Sequence, residues 1–125
     1  MTETNKTEAA TAPTPPVLPA CPVETTLTLI SDKWKVLILR DLLSGTKRFG
    51  ELKKSIGHVT QKVLTAQLRQ MEESGLLTRT VYAEVPPRVE YSLTDLGRSL
   101  KPILDAMGVW GAQYKAQAEA SSSPA

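Results

Sequence analysis

Three observations predict a mainly α fold with one small β element (α+β class) for this 125-residue chain. Apolar residues recur at helical spacing through most of residues 21–116, whereas TRTVY and RVEYSL, separated by AEVPP, alternate as paired strands do. Gly45, Gly57 and Gly75 each fall where a helical run stops. A chain of this length forms one domain, placed here at 21–116 between two tails.

Residues 1–20, rich in Thr and Ala with four prolines and no periodicity, are expected to be disordered. They lack the basic start and continuous apolar run of a secretory signal, and no stretch approaches the roughly 18 apolar residues of a membrane span. A cytoplasmic protein with no membrane partner is expected.

Cys21 and Pro22 open the first helix, since proline suits a first turn where its missing N–H costs nothing. Val23, Leu27 and Ile30 then form an apolar stripe. Cys21 falls at the N-cap. A helix N-terminus favours an anion, so one reading is a reactive thiol; the other is an inert cysteine packed under a neighbouring helix. As the chain's one cysteine it cannot form an internal disulfide. Oxidation would give a Cys21-to-Cys21 bridge between subunits, a mixed disulfide or a sulfenic acid.

Ser31 and Asp32 cap the next helix, KWKVLILRDLLSG, which is apolar nearly all round and therefore belongs in the middle of the domain, with Trp34 as core. Thr46 to Arg48 are expected to add a short third strand. The following FGELKKSI places Phe49, Leu52 and Ile56 on one helical face, and Gly57 ends it. Thr60 is the N-cap of QKVLTAQLRQMEESG, whose inner face carries Leu64, Leu68 and Met71. Two short helices joined by a glycine-containing turn make a helix-turn-helix.

The outer stripe of that second helix carries Gln61, Lys62, Thr65 and Arg69, none of them acidic. Gln and Arg offer donors to base edges, Lys meets phosphate or guanine, and Thr brings a hydroxyl or a methyl group. The plainer reading is a solvated helix face. In the hairpin, Pro86 and Pro87 belong at a tip or an edge, since proline cannot donate to a ladder. A stiff tip followed by Arg88, with Arg79 on the facing strand, has the form of a wing whose basic tip reaches DNA backbone or minor groove. Lys47, Arg48, Lys53 and Lys54 are assigned to the DNA backbone.

Leu93, Thr94 and Asp95 restart a helix in which Leu96, Leu100, Ile103, Leu104, Met107, Trp110 and Tyr114 recur at threes and fours. That apolar face exceeds what a small domain can cover, so the same helix of a second copy is expected against it. Pro102 would kink or divide the helix, and residues 117–125 form a disordered tail.

Charge distribution says more than net charge. The whole chain is only +2 at pH 7, but residues 47–69 hold Lys47, Arg48, Lys53, Lys54, Lys62 and Arg69 against Glu51 alone, a net +5. One histidine, His58, and one cysteine supply neither a metal site nor a thiol enzyme's base and orienting group. No Gly-rich phosphate loop or paired carboxylates occur either, so no cofactor and no enzyme activity are expected. A winged-helix protein-interaction module without DNA remains the alternative class; it does not need the +5 segment.

From Cys21 to about Tyr114 the chain resembles the HxlR-type branch of MarR-like winged-helix regulators. The residues that carry the resemblance are CPVETTLTLISDKWKVLIL, RFGELKKSIGHVTQKVLTAQLRQMEESGLLTRTVY and EVPPRVEYSLTDLGRSL. The leader and the Ser-rich end are not family features. The resemblance implies a bacterial transcription factor, by family habit a repressor, that binds an inverted repeat in double-stranded DNA. It implies a homodimer joined through first and last helices, which places Val23, Leu27, Ile103, Met107 and Trp110 at the interface. Several members sense oxidants, electrophiles or aldehydes through a cysteine at the position of Cys21. A regulator with an inert Cys21 and a small-molecule effector is the other reading, although no convergent polar groups point to a ligand.

Overall fold

The computed structural model describes residues 17–122. Residues 17–20 are irregular; the rest of the expected N-terminal tail lies outside the described residues. The elements follow in the order α1 (Pro22–Ile30), α2 (Lys33–Leu42), β1 (Lys47–Arg48), α3 (Phe49–Ile56), α4 (Gln61–Glu73), β2 (Leu77–Tyr82), β3 (Arg88–Leu93), α5 (Asp95–Arg98) and α6 (Lys101–Ser122).

Local chemistry sets these boundaries. Pro22 stands in the first turn of α1, with Cys21 as N-cap. The Asp32 carboxylate accepts the Lys35 backbone N–H at 3.0 Å and so starts α2. Thr60 Oγ1 accepts from Val63 N at 3.1 Å to start α4. Thr94 Oγ1 does the same for α5, accepting from Gly97 N at 3.1 Å. Gly45, Gly57 and Gly75 all have positive φ, the conformation that lets the chain turn out of a helix.

Helix α2 packs against α1, α3, α4 and β3, the central place its apolar sequence predicts. Ile38, Leu39, Leu52, Leu64, Leu68, Met71, Leu76 and Leu77 are sealed from solvent around it, each contributing about 1.5–3 kcal/mol from burial. Trp34 is half-buried against this core. The sheet is antiparallel with β3 in the middle, so the expected third strand forms. Lys47 lies opposite Tyr91, and Leu77 through Tyr82 pair with Leu93 through Arg88.

The last helical segment is divided at Ser99–Leu100, just ahead of Pro102, which sits in the first turn of α6 where it breaks no hydrogen bond. Helix α6 then runs to Ser122, six residues past the boundary expected at 116. The sequence KAQAEA is built of strong helix formers, and its exposed backbone is better satisfied in a helix than in coil. From Asp105 to Ser121 every residue is exposed.

Gly97 is where α5 closes onto the sheet. A methyl group there would collide with the Leu76 carbonyl oxygen and press on Leu93. Gly97→Ala should therefore destabilise the fold by about 1–3 kcal/mol in urea unfolding. Gly50→Ala, with open space around it, should be neutral or stabilise by up to about 0.5 kcal/mol.

Candidate nucleic-acid interface

Helix α4 has two faces with different work. Leu64, Leu68 and Met71 anchor it in the core. On the far side Gln61, Lys62, Thr65, Ala66 and Arg69 line one shallow depression of about 560 Å³, so the four outer-stripe residues share one surface. The ion pairs among the described residues involve Lys35, Arg40, Arg88, Arg98 and Lys101. Lys62 and Arg69 are thus left with charges available to an outside partner.

The hairpin adds Arg79 to this surface. Residues opposite each other in an antiparallel pair share a face, so Arg79 lies on the same side as Tyr91, toward the helices. Arg79 joins Phe49, Thr65, Leu68, Arg69, Glu72 and Tyr91 around a cleft of about 330 Å³. Thr65 and Arg69 belong to both hollows, making one continuous strip from the start of α4 to the sheet. Glu72, three positions beyond Arg69, brings one carboxylate to the lining of this cleft.

Arg88 stands apart from this surface. The register puts it on the opposite face of the hairpin from Arg79, beside Tyr82. Its guanidinium stacks 4.0 Å over the Tyr82 ring and pairs with Glu84 Oε2 at 3.0 Å. Its Nε stands 3.5 Å from Glu90 Oε2, close enough for charge attraction but without hydrogen-bond geometry. The tip is therefore apolar and charge-compensated: Val85 is fully exposed between Glu84 and the two prolines.

The other assigned cations are dispersed. Lys53, Lys54 and Arg48 are exposed on or before α3. The Arg48 backbone N–H is held by the Glu51 carboxylate at 2.8 Å. Lys47 is half-buried and lines a separate hollow of about 170 Å³ with Asp41, Ser44, Glu51, Leu52 and Ser55, away from the α4 strip. His58 is exposed in the turn, its ring edge-on to Trp34 at 5.9 Å. Cys21 is exposed, as are Val23, Leu27, Ile103, Met107 and Trp110. Trp110 and Tyr114 stack in parallel at 5.3 Å along α6.

A polar cluster on the other side of α4 was also hidden in the sequence. Lys35 Nζ donates to Asp32 Oδ2 at 3.1 Å and to Gln67 Oε1 and Gln70 Oε1, both at 2.8 Å. Gln67 Nε2 returns to Asp32 Oδ2 at 3.1 Å. Burial raises the Asp32 pKa, but the Lys35 backbone N–H, the Lys35 ammonium and the Gln67 amide outweigh it and hold the carboxyl below its ordinary value.

Helix-turn-helix, wing and a free cationic strip on the second helix define a winged helix-turn-helix transcriptional regulator of the MarR-like kind. The chain belongs to the HxlR-like helix-turn-helix family, whose model matches residues 29–119. It is 52% identical over 95 residues to the uncharacterized HTH-type transcriptional regulator YdeP of Bacillus subtilis, covering 76% of this chain and 74% of that protein. Among solved structures it is similar to the redox regulator HypR. The oxidized form gives a TM-score of 0.71 at 47% identity, over 74% of this chain and 96% of that one. The reduced form gives 0.75 at 44%, over 80% and 99%. Among the described residues no helix is long and apolar enough to cross a membrane, and no three His, Cys, Asp or Glu side chains are grouped to hold a metal.

The Asp32 carboxyl gives a pH prediction. A depressed folded pKa contributes stability that is present above the unfolded value of about 3.9 and is lost as pH falls through the folded value. The stability gap between the parent and Asp32→Asn should be widest near neutrality and should shrink below about pH 4 in urea titrations.

Proposed function

We propose that this regulator binds a near-palindromic DNA duplex as a homodimer and represses transcription there. The observation that carries the reading is the unpaired strip of Gln61, Lys62, Thr65 and Arg69, continued by Arg79 on the sheet. Helix α4 enters the major groove, with Arg69 and Gln61 on base edges and Lys62 on phosphate or guanine. Lys53, Lys54 and Arg48 hold the backbone, as does Arg79 beside the groove. Arg88 and Lys47 take lesser parts, since each faces carboxylates of its own chain.

Pairing of two chains follows from the apolar residues that α1 and α6 expose. Ile103, Met107, Trp110 and Tyr114 step by four, three and four, the spacing of a helix-to-helix seam. Val23 and Leu27 extend the same kind of surface on α1. A two-fold pair carries its recognition helices about 34 Å apart, one turn of DNA.

Cys21 is the proposed switch. Its thiol is exposed at the mouth of α1, beside the surface through which the chains join, and the HypR structures with which the fold aligns are those of a redox regulator. Oxidation to a bridged, mixed-disulfide or sulfenic form changes the volume and polarity of that junction. The two reading helices must fit successive grooves together, so a small rotation between them suffices for release.

A gel shift on duplex selected from a random-sequence pool tests these statements. Arg69→Ala should relax sequence preference by about tenfold or more. Lys53→Ala should reduce the slope of log affinity against log salt by about 1 while leaving preference intact. Parent-like behaviour of both variants would refute the assigned face. Diamide should release the parent, with recovery in dithiothreitol, and should not release Cys21→Ser; equal release of both would retire the thiol switch.

A further inference from the structure

The polar cluster behind α4 forms a closed ring. Asp32 Oδ2 accepts from Lys35 Nζ, Lys35 Nζ donates to Gln67 Oε1, and Gln67 Nε2 returns to the same Asp32 oxygen. Lys35 spends its third ammonium hydrogen on Gln70, so all three of its donors are used, and its side chain is only 11% exposed. Gln67 is engaged at both ends, which fixes its amide orientation: turning it over would break two bonds at once.

The ring's position gives it a purpose beyond holding the fold. Asp32 lies in the short joint between α1 and α2, and Lys35 is in the first turn of α2. Gln67 projects from α4 on the side away from Thr65 and Arg69, since two residues along a helix is a rotation of about 200°, and Gln70 follows it on the next turn. Core leucines resist translation of α4 but are nondirectional, so they define its roll about its own axis less sharply than hydrogen bonds do. A roll of about 10° moves by about 1 Å a side chain carried about 5–6 Å from the axis. That displacement is comparable to the whole tolerance of a base-edge hydrogen bond.

We propose that the Asp32–Lys35–Gln67 ring sets the roll of α4 and so determines how sharply the protein separates its preferred sequence from other DNA. The proposal rests on the reading that α4 enters the groove. Asp32, Lys35 and Gln67 are positioning residues: they touch no DNA and act through the direction of Thr65 and Arg69. By the same bonds the reading helix is tied to the joint that follows the Cys21-bearing helix.

The ring can be broken, and two of its three sides restored, without losing the α2 cap. Asp32→Asn keeps an oxygen to accept from the Lys35 backbone, and asparagine is a good N-cap, but the introduced amide turns N–H groups toward Lys35 and Gln67. Gln67→Glu removes the N–H that Asp32 accepts and sets two carboxylates face to face. Together the two changes restore two of the ring's three sides, the carboxylate at position 67 accepting from both Lys35 and the amide at position 32, while the Lys35 bond to position 32 stays lost.

The measurement is the ratio of affinities for the duplex the parent selects from a random-sequence pool and for random duplex, at one salt concentration. Each single variant should lose about tenfold or more of this ratio, and the double variant, with two sides of the ring restored, should regain most of the loss. The single changes shift net charge in opposite directions, so a general electrostatic effect would move affinity in opposite senses, whereas ring loss lowers the ratio in both. Thermal unfolding run in parallel separates a roll defect from a shortage of folded protein. Single variants that keep the parent's ratio, or a double variant that does no better than the single ones, overturn the proposal. In the free parent the Gln67 side-chain amide should also give a slowly exchanging NMR signal that disappears in Asp32→Asn. A parent that selects no sequence while showing that signal would sink the DNA-reading assignment, and the discrimination role with it.

Discussion

The burial of Leu64, Leu68 and Met71 against α2 is the constraint on which the rest of the molecule depends. It turns the polar side of α4 outward, where Lys62 and Arg69 face solvent and form no ion pair among the described residues. Helix α2 makes this possible because it is apolar on several sides and receives α1, α3, α4 and β3 at once. The helices of the helix-turn-helix thus hang on one central rod, and their relative angles are inherited from packing rather than from the loops between them.

Around this apolar frame, polar interactions act where direction matters. Asp32 is both the cap of α2 and a corner of the ring that grips α4. Thr94 links Gly75 to Gly97, accepting from one backbone and donating to the other, so the end of the hairpin and the start of α5 share a single hydroxyl. Gly97 permits that closeness, leaving the Leu76 carbonyl where a side chain would otherwise stand. These contacts are few, and each sits at a junction between elements.

Helix ends and the shared outer stripe of α4 were legible in the sequence because their causes are local. Pro22, Asp32, Gly45, Thr60 and Gly75 act within a turn of where they stand, and the stripe needs only the helical repeat. What was not legible depends on residues brought together by folding. Lys35 and Gln67 are separated by 32 positions, and nothing in either neighbourhood announces the other. The face on which Arg88 lies is settled by strand register, which also delivers Glu84 and Glu90 to it. The extension of α6 to Ser122 was missed for a different reason: a helix-forming composition without an apolar stripe reads as a tail unless propensity is weighed by itself.

The bare length of α6 bears on the life of the protein in a cell. Its 22 residues reach about 33 Å, and from Asp105 to Ser121 every one is exposed. An apolar helix in that condition is what chaperones and degradative proteases grip. A partner that covered Met107, Trp110 and Tyr114 would therefore also hide the chain from that traffic.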